Sequence, residues 1–284
     1  MTTAGQPAGS FAARLRGGLD RHGPLCMGID PHPGLLAEWG LPDDAAGLEQ
    51  FARTVVEAVA GQVAAVKPQS AFFERHGSAG IVVLERVLTD LAAAGTLSIL
   101  DVKRGDVGST MTAYAQAYLA EGSPLAADAV TLSPYLGYGS LRPAIELARE
   151  TGRGVFVLTL TSNPEGSQVQ HAGTPSVAQR VLSQVAADNA GAEPFGHVGV
   201  VVGATVGSAI GDLGLDLAGS RAPVLAPGVG AQGATAADLA TTFAGSIGRL
   251  LVPVSRGVLA GPPGSKSLRH RMMQVRDQIG AALS

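Results

Sequence analysis

A single (β/α)8 barrel is the fold this sequence predicts, on three observations. Eight short apolar runs alternate with longer segments of helical period, the pattern of parallel strands joined by crossover helices. No composition break or linker divides the 284 residues into two parts. Five of the runs end at a proline: Asp30, Lys67, Ser133, Asn163 and Ala226 each precede one, and a residue without an amide proton stops a ladder where a loop begins.

The strands are predicted at LCMGID (25–30), VAAVK (63–67), LSILDVK (97–103), AVTLS (129–133), GVFVLTL (154–160), VGVVVG (198–203), PVLAP (223–227) and LLVPVSR (250–256). Helical patterns follow six of them: GLEQFARTVVEAVAGQ, AGIVVLERVLTDLAAAG, TMTAYAQAYLAEG, SLRPAIELARETG, TPSVAQRVLSQVAADNAG and TAADLATTFAG. A last helix from about Ser265 closes the chain, and Asp43 or Asp44 is a cap for the first of these helices. Residues 1–9 read as a disordered tail, and residues 10–284 as the barrel.

Composition limits what the barrel does. With 46% hydrophobic residues the chain buries a substantial core, and a formal charge of -3 offers no basic field for nucleic acid or an anionic membrane. A small-molecule partner is expected. The N-terminus lacks the apolar stretch of a signal peptide, and VGVVVGATVGSAIG is too short and Gly-broken to span a bilayer, so a cytoplasmic protein is expected. The lone Cys26 lies in an apolar run and reads as a small core residue. The six histidines show no metal-ligand spacing, and Trp39 is expected to pack the insertion after the first strand.

In barrels of this type the active face lies at the C-terminal strand ends. LSILDVKRGDVGST (97–110) places Asp101, Lys103, Arg104 and Asp106 at such an end. Residues two apart share a face of a strand, so Asp101 and Lys103 are predicted to enter the mouth together while Val102 packs outward. Lys67, ending the neighbouring strand, is predicted to join them in an alternating Lys, Asp, Lys, Asp array with Asp106.

The strings GIDPHP (28–33), KPQSAFFE (67–74), DVKRGDVGST (101–110), LTLTSNPEG (158–166), APGVGAQG (226–233) and VSRGV (254–258) together resemble the orotidine 5'-phosphate decarboxylase family. They fall on the first, second, third, fifth, seventh and eighth strands in order. Gln69 stands where an Asn is more usual, and VSRGV replaces the commoner VGR-x-I form. The resemblance implies conversion of orotidine 5'-phosphate to UMP and CO2 with neither metal nor organic cofactor, in a homodimer with shared sites. By the same resemblance Lys103 is the proton donor and Asp101 faces the departing carboxylate. Lys67 and Asp106 hold the array, Asp106 reaching across a twofold interface into the partner subunit's barrel. Asp30 binds the ribose, Thr110 assists from the partner subunit, Ser162 reads the pyrimidine edge, and Gln232 and Arg256 grip the phosphate. Other readings of these residues are a Mg2+-dependent sugar-phosphate decarboxylase or aldolase, a Schiff-base aldolase using Lys67 or Lys103, and a non-catalytic phosphate-binding barrel.

Overall fold

The computed structural model describes residues 9–230 and 233–283. Eight parallel strands close into a barrel in sequence order: β1 (Leu25–Ile29), β2 (Ala65–Pro68), β3 (Leu97–Arg104), β4 (Ala129–Leu132), β5 (Gly154–Leu160), β6 (Val198–Val202), β7 (Val224–Leu225) and β8 (Leu250–Val254). The predicted (β/α)8 barrel is therefore the observed fold. Parallel strands covered on their outer face by helices are buried on both sides, which is why they read as nearly continuous apolar runs.

The six predicted helices occur as Ala45–Val59, Gly77–Ala93, Gly108–Leu119, Arg142–Glu150, Val177–Asp188 and Ala236–Thr242, and the last runs Ser265–Leu283. Asp44, not Asp43, caps the first of them by accepting from the amides of Ala46 and Gly47. Trp39 packs on Phe51 with ring centroids 4.4 Å apart, and its indole N–H donates to the Leu259 carbonyl. Between β6 and β7 only the single turn Ala209–Asp212 is helical, so this unit lacks a full crossover helix.

Three expectations change. Pro68 remains inside β2, paired with Ile29, because the last position of a strand tolerates a missing N–H. The run at 223–227 narrows to a two-residue strand. Of the predicted tail, residues 1–8 lie outside the described residues, and just beyond it stands a helix the periodicity did not announce, Phe11–His22. Ser10 caps it by accepting from the Ala13 amide.

That helix closes the N-terminal end of the barrel. Phe11, Leu15 and Leu19 pack with Cys26, Ile99, Ala129, Phe156, Leu225 and Leu251 in an apolar cluster inside the barrel. The rings of Phe11 and Phe156 meet edge to face at 6.0 Å, and Gly154 leaves the room, since a Cβ there would lie 2.4 Å from Phe11. Burial holds the Cys26 thiol in this cluster unreactive, pushing its pKa up to about 12. Among the described residues no helix is long and apolar enough to cross a membrane.

Candidate active site

The strands that make this apolar floor also make the charged mouth. In β2, Ala65 is followed two residues on by Lys67; in β3, Ile99 by Asp101; in β4, Ala129 by Thr131. Because side chains alternate, each step of two keeps the side chain inside the barrel and raises it toward the C-terminal rim.

Asp101 is the hub. Its Oδ2 accepts from Lys67 Nζ and Gln69 Nε2, both at 3.0 Å, and its Oδ1 accepts from Lys103 Nζ at 2.6 Å and Thr131 Oγ1 at 2.8 Å. Four donors saturate the carboxylate. Burial by itself raises the Asp101 pKa, but the adjacent Lys67 and Lys103 charges and their hydrogen bonds outweigh it and hold the carboxyl well below the usual range. For buried Lys67 the same opposition runs the other way: burial lowers its pKa, and Asp101 and Asp30 more than restore it, so it stays an ammonium. Asp30 Oδ1 lies 4.0 Å from Lys67 Nζ, beyond hydrogen-bond reach.

Lys103 reaches this position by a route the simple alternation does not contain. The pairing of β3 with β4 shifts register between Leu100 and Arg104, and Lys103 adopts φ 45°, in the left-handed region that non-glycine residues rarely occupy. Its amide donates to Thr131 Oγ1 at 2.9 Å. Val102 packs outward as predicted. Arg104 turns away from the mouth and pairs with Glu74 at 2.7 Å.

The expected four-charge array does not close within one chain. Asp106 follows on the loop beyond β3, where its carboxylate accepts from the Val107 amide, and among the described residues it makes no ion pair. The fourth charge beside the lysines is Asp30 instead. Thr110 is exposed in the first turn of the Gly108–Leu119 helix, beyond the strand end.

Above the array lies a cavity of about 370 Å³, lined by Asp30, Lys67, Asp101, Lys103, Ser162 and Arg256 among others. Asp30 Oδ1 and Ser255 Oγ are buried there without a hydrogen-bond partner. Gly28 between them is required, since a Cβ would lie 2.9 Å from Ser255 Cβ and 3.3 Å from Asp30 Oδ2. Arg256 opens the turn Arg256–Leu259 after β8, exposed and free of ion pairs among the described residues. Gln232 lies outside the described residues. A larger groove of about 730 Å³ runs between the outer helices, far from the mouth, and its Arg53 is paired with Glu49 and Asp90.

Three contributors escape the sequence reading: Gln69 as a donor to Asp101, Thr131 as a link between Asp101 and Lys103, and Ser255 as an unpartnered hydroxyl. The altered positions in KPQSAFFE and VSRGV were the available signal for the first and last; Thr131 carries none, because threonine is ordinary in strands. Among the described residues no group of three or more His, Cys, Asp or Glu side chains is placed to hold a metal ion.

The profile of the Orotidine 5'-phosphate decarboxylase / HUMPS family matches residues 23–270. Orotidine 5'-phosphate decarboxylases of Streptomyces coelicolor and Salinispora arenicola are 58% and 56% identical to this chain, spanning 96% and 97% of it and 98% and 99% of their own lengths. The crystal structure of a candidate orotidine 5'-phosphate decarboxylase from Streptomyces avermitilis aligns with a TM-score of 0.93 at 54% identity, covering 100% of this chain and 99% of that one. A barrel with this charged mouth and near-complete relatives of one kind belongs to the orotidine 5'-phosphate decarboxylase / HUMPS family.

Proposed function

We infer that the protein decarboxylates orotidine 5'-phosphate to UMP and CO2, the last step of pyrimidine nucleotide synthesis, acting in the cytoplasm as a homodimer. The observation that carries this reading is the saturated Asp101 carboxylate between two lysines at the base of the cavity.

The chemistry demands such a device. Breaking the bond between C6 and its carboxylate releases CO2 and leaves the electron pair in the plane of the pyrimidine ring, where the π system does not delocalise it. Fixed positive charge at C6 stabilises that pair. In this reading the Lys103 ammonium supplies the charge and then its proton to C6, and the lysine is recharged from solvent. Asp101 stands beside the substrate carboxylate, so departure of CO2 relieves a repulsion between anions. Lys67 holds Asp101 and reaches the ribose, and Asp30 accepts from the ribose hydroxyls. Ser162 reads the pyrimidine edge. Gln232 and Arg256 bind the phosphate, whose contacts far from C6 contribute energy to closing the site. The reaction as proposed uses no metal and no organic cofactor.

Two observations support a shared site. Asp106 makes no ion pair with its own array among the described residues, and the loops after β3 and β4 expose apolar side chains, Val107, Tyr135 and Leu136, at 56%, 78% and 52%. We assign Asp106 and Thr110 to the site of the partner subunit across a twofold axis. Purified, EDTA-treated protein is expected to convert orotidine 5'-phosphate to UMP with the accompanying ultraviolet change. Turnover that vanishes on chelation and returns with Mg2+ points to the metal-dependent sugar-phosphate class instead, and absence of turnover with or without Mg2+ removes the assignment.

A further inference from the structure

We propose that Thr131 is a positioning residue for the reaction, its hydroxyl fixing Asp101 and Lys103 in one geometry. The proposal rests on the decarboxylase reading above and adds to it a residue from β4.

A hydroxyl has one proton to give and lone pairs to receive with. Thr131 spends the proton on Asp101 Oδ1 at 2.8 Å and receives the Lys103 amide at 2.9 Å. At 1% exposure it leaves no room for water to take over either bond. Both contacts fall on groups whose placement is unusual. Lys103 is held at φ 45° in the stretch where β3 and β4 lose register, a conformation that persists only where the surroundings impose it. Asp101 Oδ1 is also the oxygen that receives Lys103 Nζ at 2.6 Å. One side chain therefore grips the lysine at its backbone and the carboxylate at the oxygen the same lysine uses, closing a small ring of contacts around the proposed proton donor. A β-branched side chain suits this task because its χ1 is stiff, so the hydroxyl does not wander between the two partners. With valine in its place, the Lys103 amide loses its acceptor, the strand end relaxes, and the ammonium loses its fixed distance from Asp101. Lys67 and Gln69 still hold Oδ2, so the carboxylate stays in the mouth and the cavity stays open to substrate.

The test compares Thr131→Val, Thr131→Ser and wild type, each confirmed folded by circular dichroism. Removing the hydroxyl is expected to lower kcat about 10- to 100-fold while KM stays within about threefold, because the lost term belongs to the transition state. Serine, which keeps the hydroxyl, is expected to restore kcat to within about threefold of wild type. A valine variant with wild-type kcat overturns the proposal, and so does a serine variant as slow as the valine one, since methyl packing would then be what matters. Should Thr131→Val not fold, Thr131→Cys, with its weak donor, takes its place in the comparison with serine. Wild type separates the two layers: no turnover by wild type removes the decarboxylase reading itself, whereas wild-type turnover with an unaffected valine variant removes only the role of Thr131.

Discussion

The floor and the mouth of the barrel interior are two residues apart on the same strands and opposite in character. At the floor, Ala65, Ile99 and Ala129 meet Phe156 and the N-terminal helix in a buried apolar cluster; one step higher, Lys67, Asp101 and Thr131 form a saturated polar network. Each explains the other. A buried charge is tolerated only where every partner is fixed, and the close-packed floor supplies the rigid strands that fix them. The mouth in turn leaves Asp30 Oδ1 and Ser255 Oγ unpartnered, a cost that a floor residue has no reason to carry.

The sharpest way to separate the two regions is Lys103→Ala. Asp101 keeps Lys67, Gln69 and Thr131, so the fold and the affinity for UMP should survive, while kcat falls about 10³-fold or more. A variant retaining a tenth of wild-type kcat would break the functional half of the comparison. The converse substitution is Phe11→Ala, which opens a cavity under the fully buried ring and should cost about 3–5 kcal/mol in urea titrations. Its kcat per folded molecule should stay near wild type; a matching loss of kcat would mean that the floor is not merely a support.

Acid probes the mouth through Asp101, when wild type is set against a variant that lacks only that carboxylate. Asp101 titrates below its ordinary 3.8 in the folded protein, so its contribution to stability is complete above that pH and is lost as pH falls further, toward the folded-state value. Below about pH 4 the wild type should therefore lose about 1.4 kcal/mol per pH unit more steeply than Asp101→Asn. Equal slopes in urea melts at pH 4 and pH 3 would contradict the depressed pKa. The smallest expected signal concerns the partner's share of the mouth. Inactive Lys103→Ala and Asp106→Ala proteins, unfolded together and refolded, should regain roughly a quarter of wild-type activity, because each mixed dimer has one site free of both lesions. No recovery, with mixed dimers confirmed by mass, would confine the site to one chain.

How far the sequence announced these two regions differs sharply. Strand positions were legible because strands covered on both faces must be apolar throughout, and Asp101, Lys67 and Lys103 were legible because charges at the end of such a run have to be put to use. The floor was only half visible: FAARLRGGLDRH carries two glycines and three arginines, which mask the Phe11, Leu15, Leu19 stripe that packs inward. Pairwise geometry inside the mouth was not visible at all. Alternation predicts that Lys103 points inward, but not that it does so through a positive φ and a slip in register, nor that an ordinary strand threonine meets its amide.

The N-terminal helix sets a timetable for synthesis. It leaves the ribosome before every strand of the barrel, yet Arg16 donates to the Gly248 carbonyl, 232 positions later, and β1 finds its second neighbour only in β8. At about 5–20 residues per second the apolar face of that helix waits roughly 10–50 s for the floor it will close. Through that interval Phe11, Leu15 and Leu19, buried in the finished barrel, lack the β8 residue Leu251 that completes their cluster.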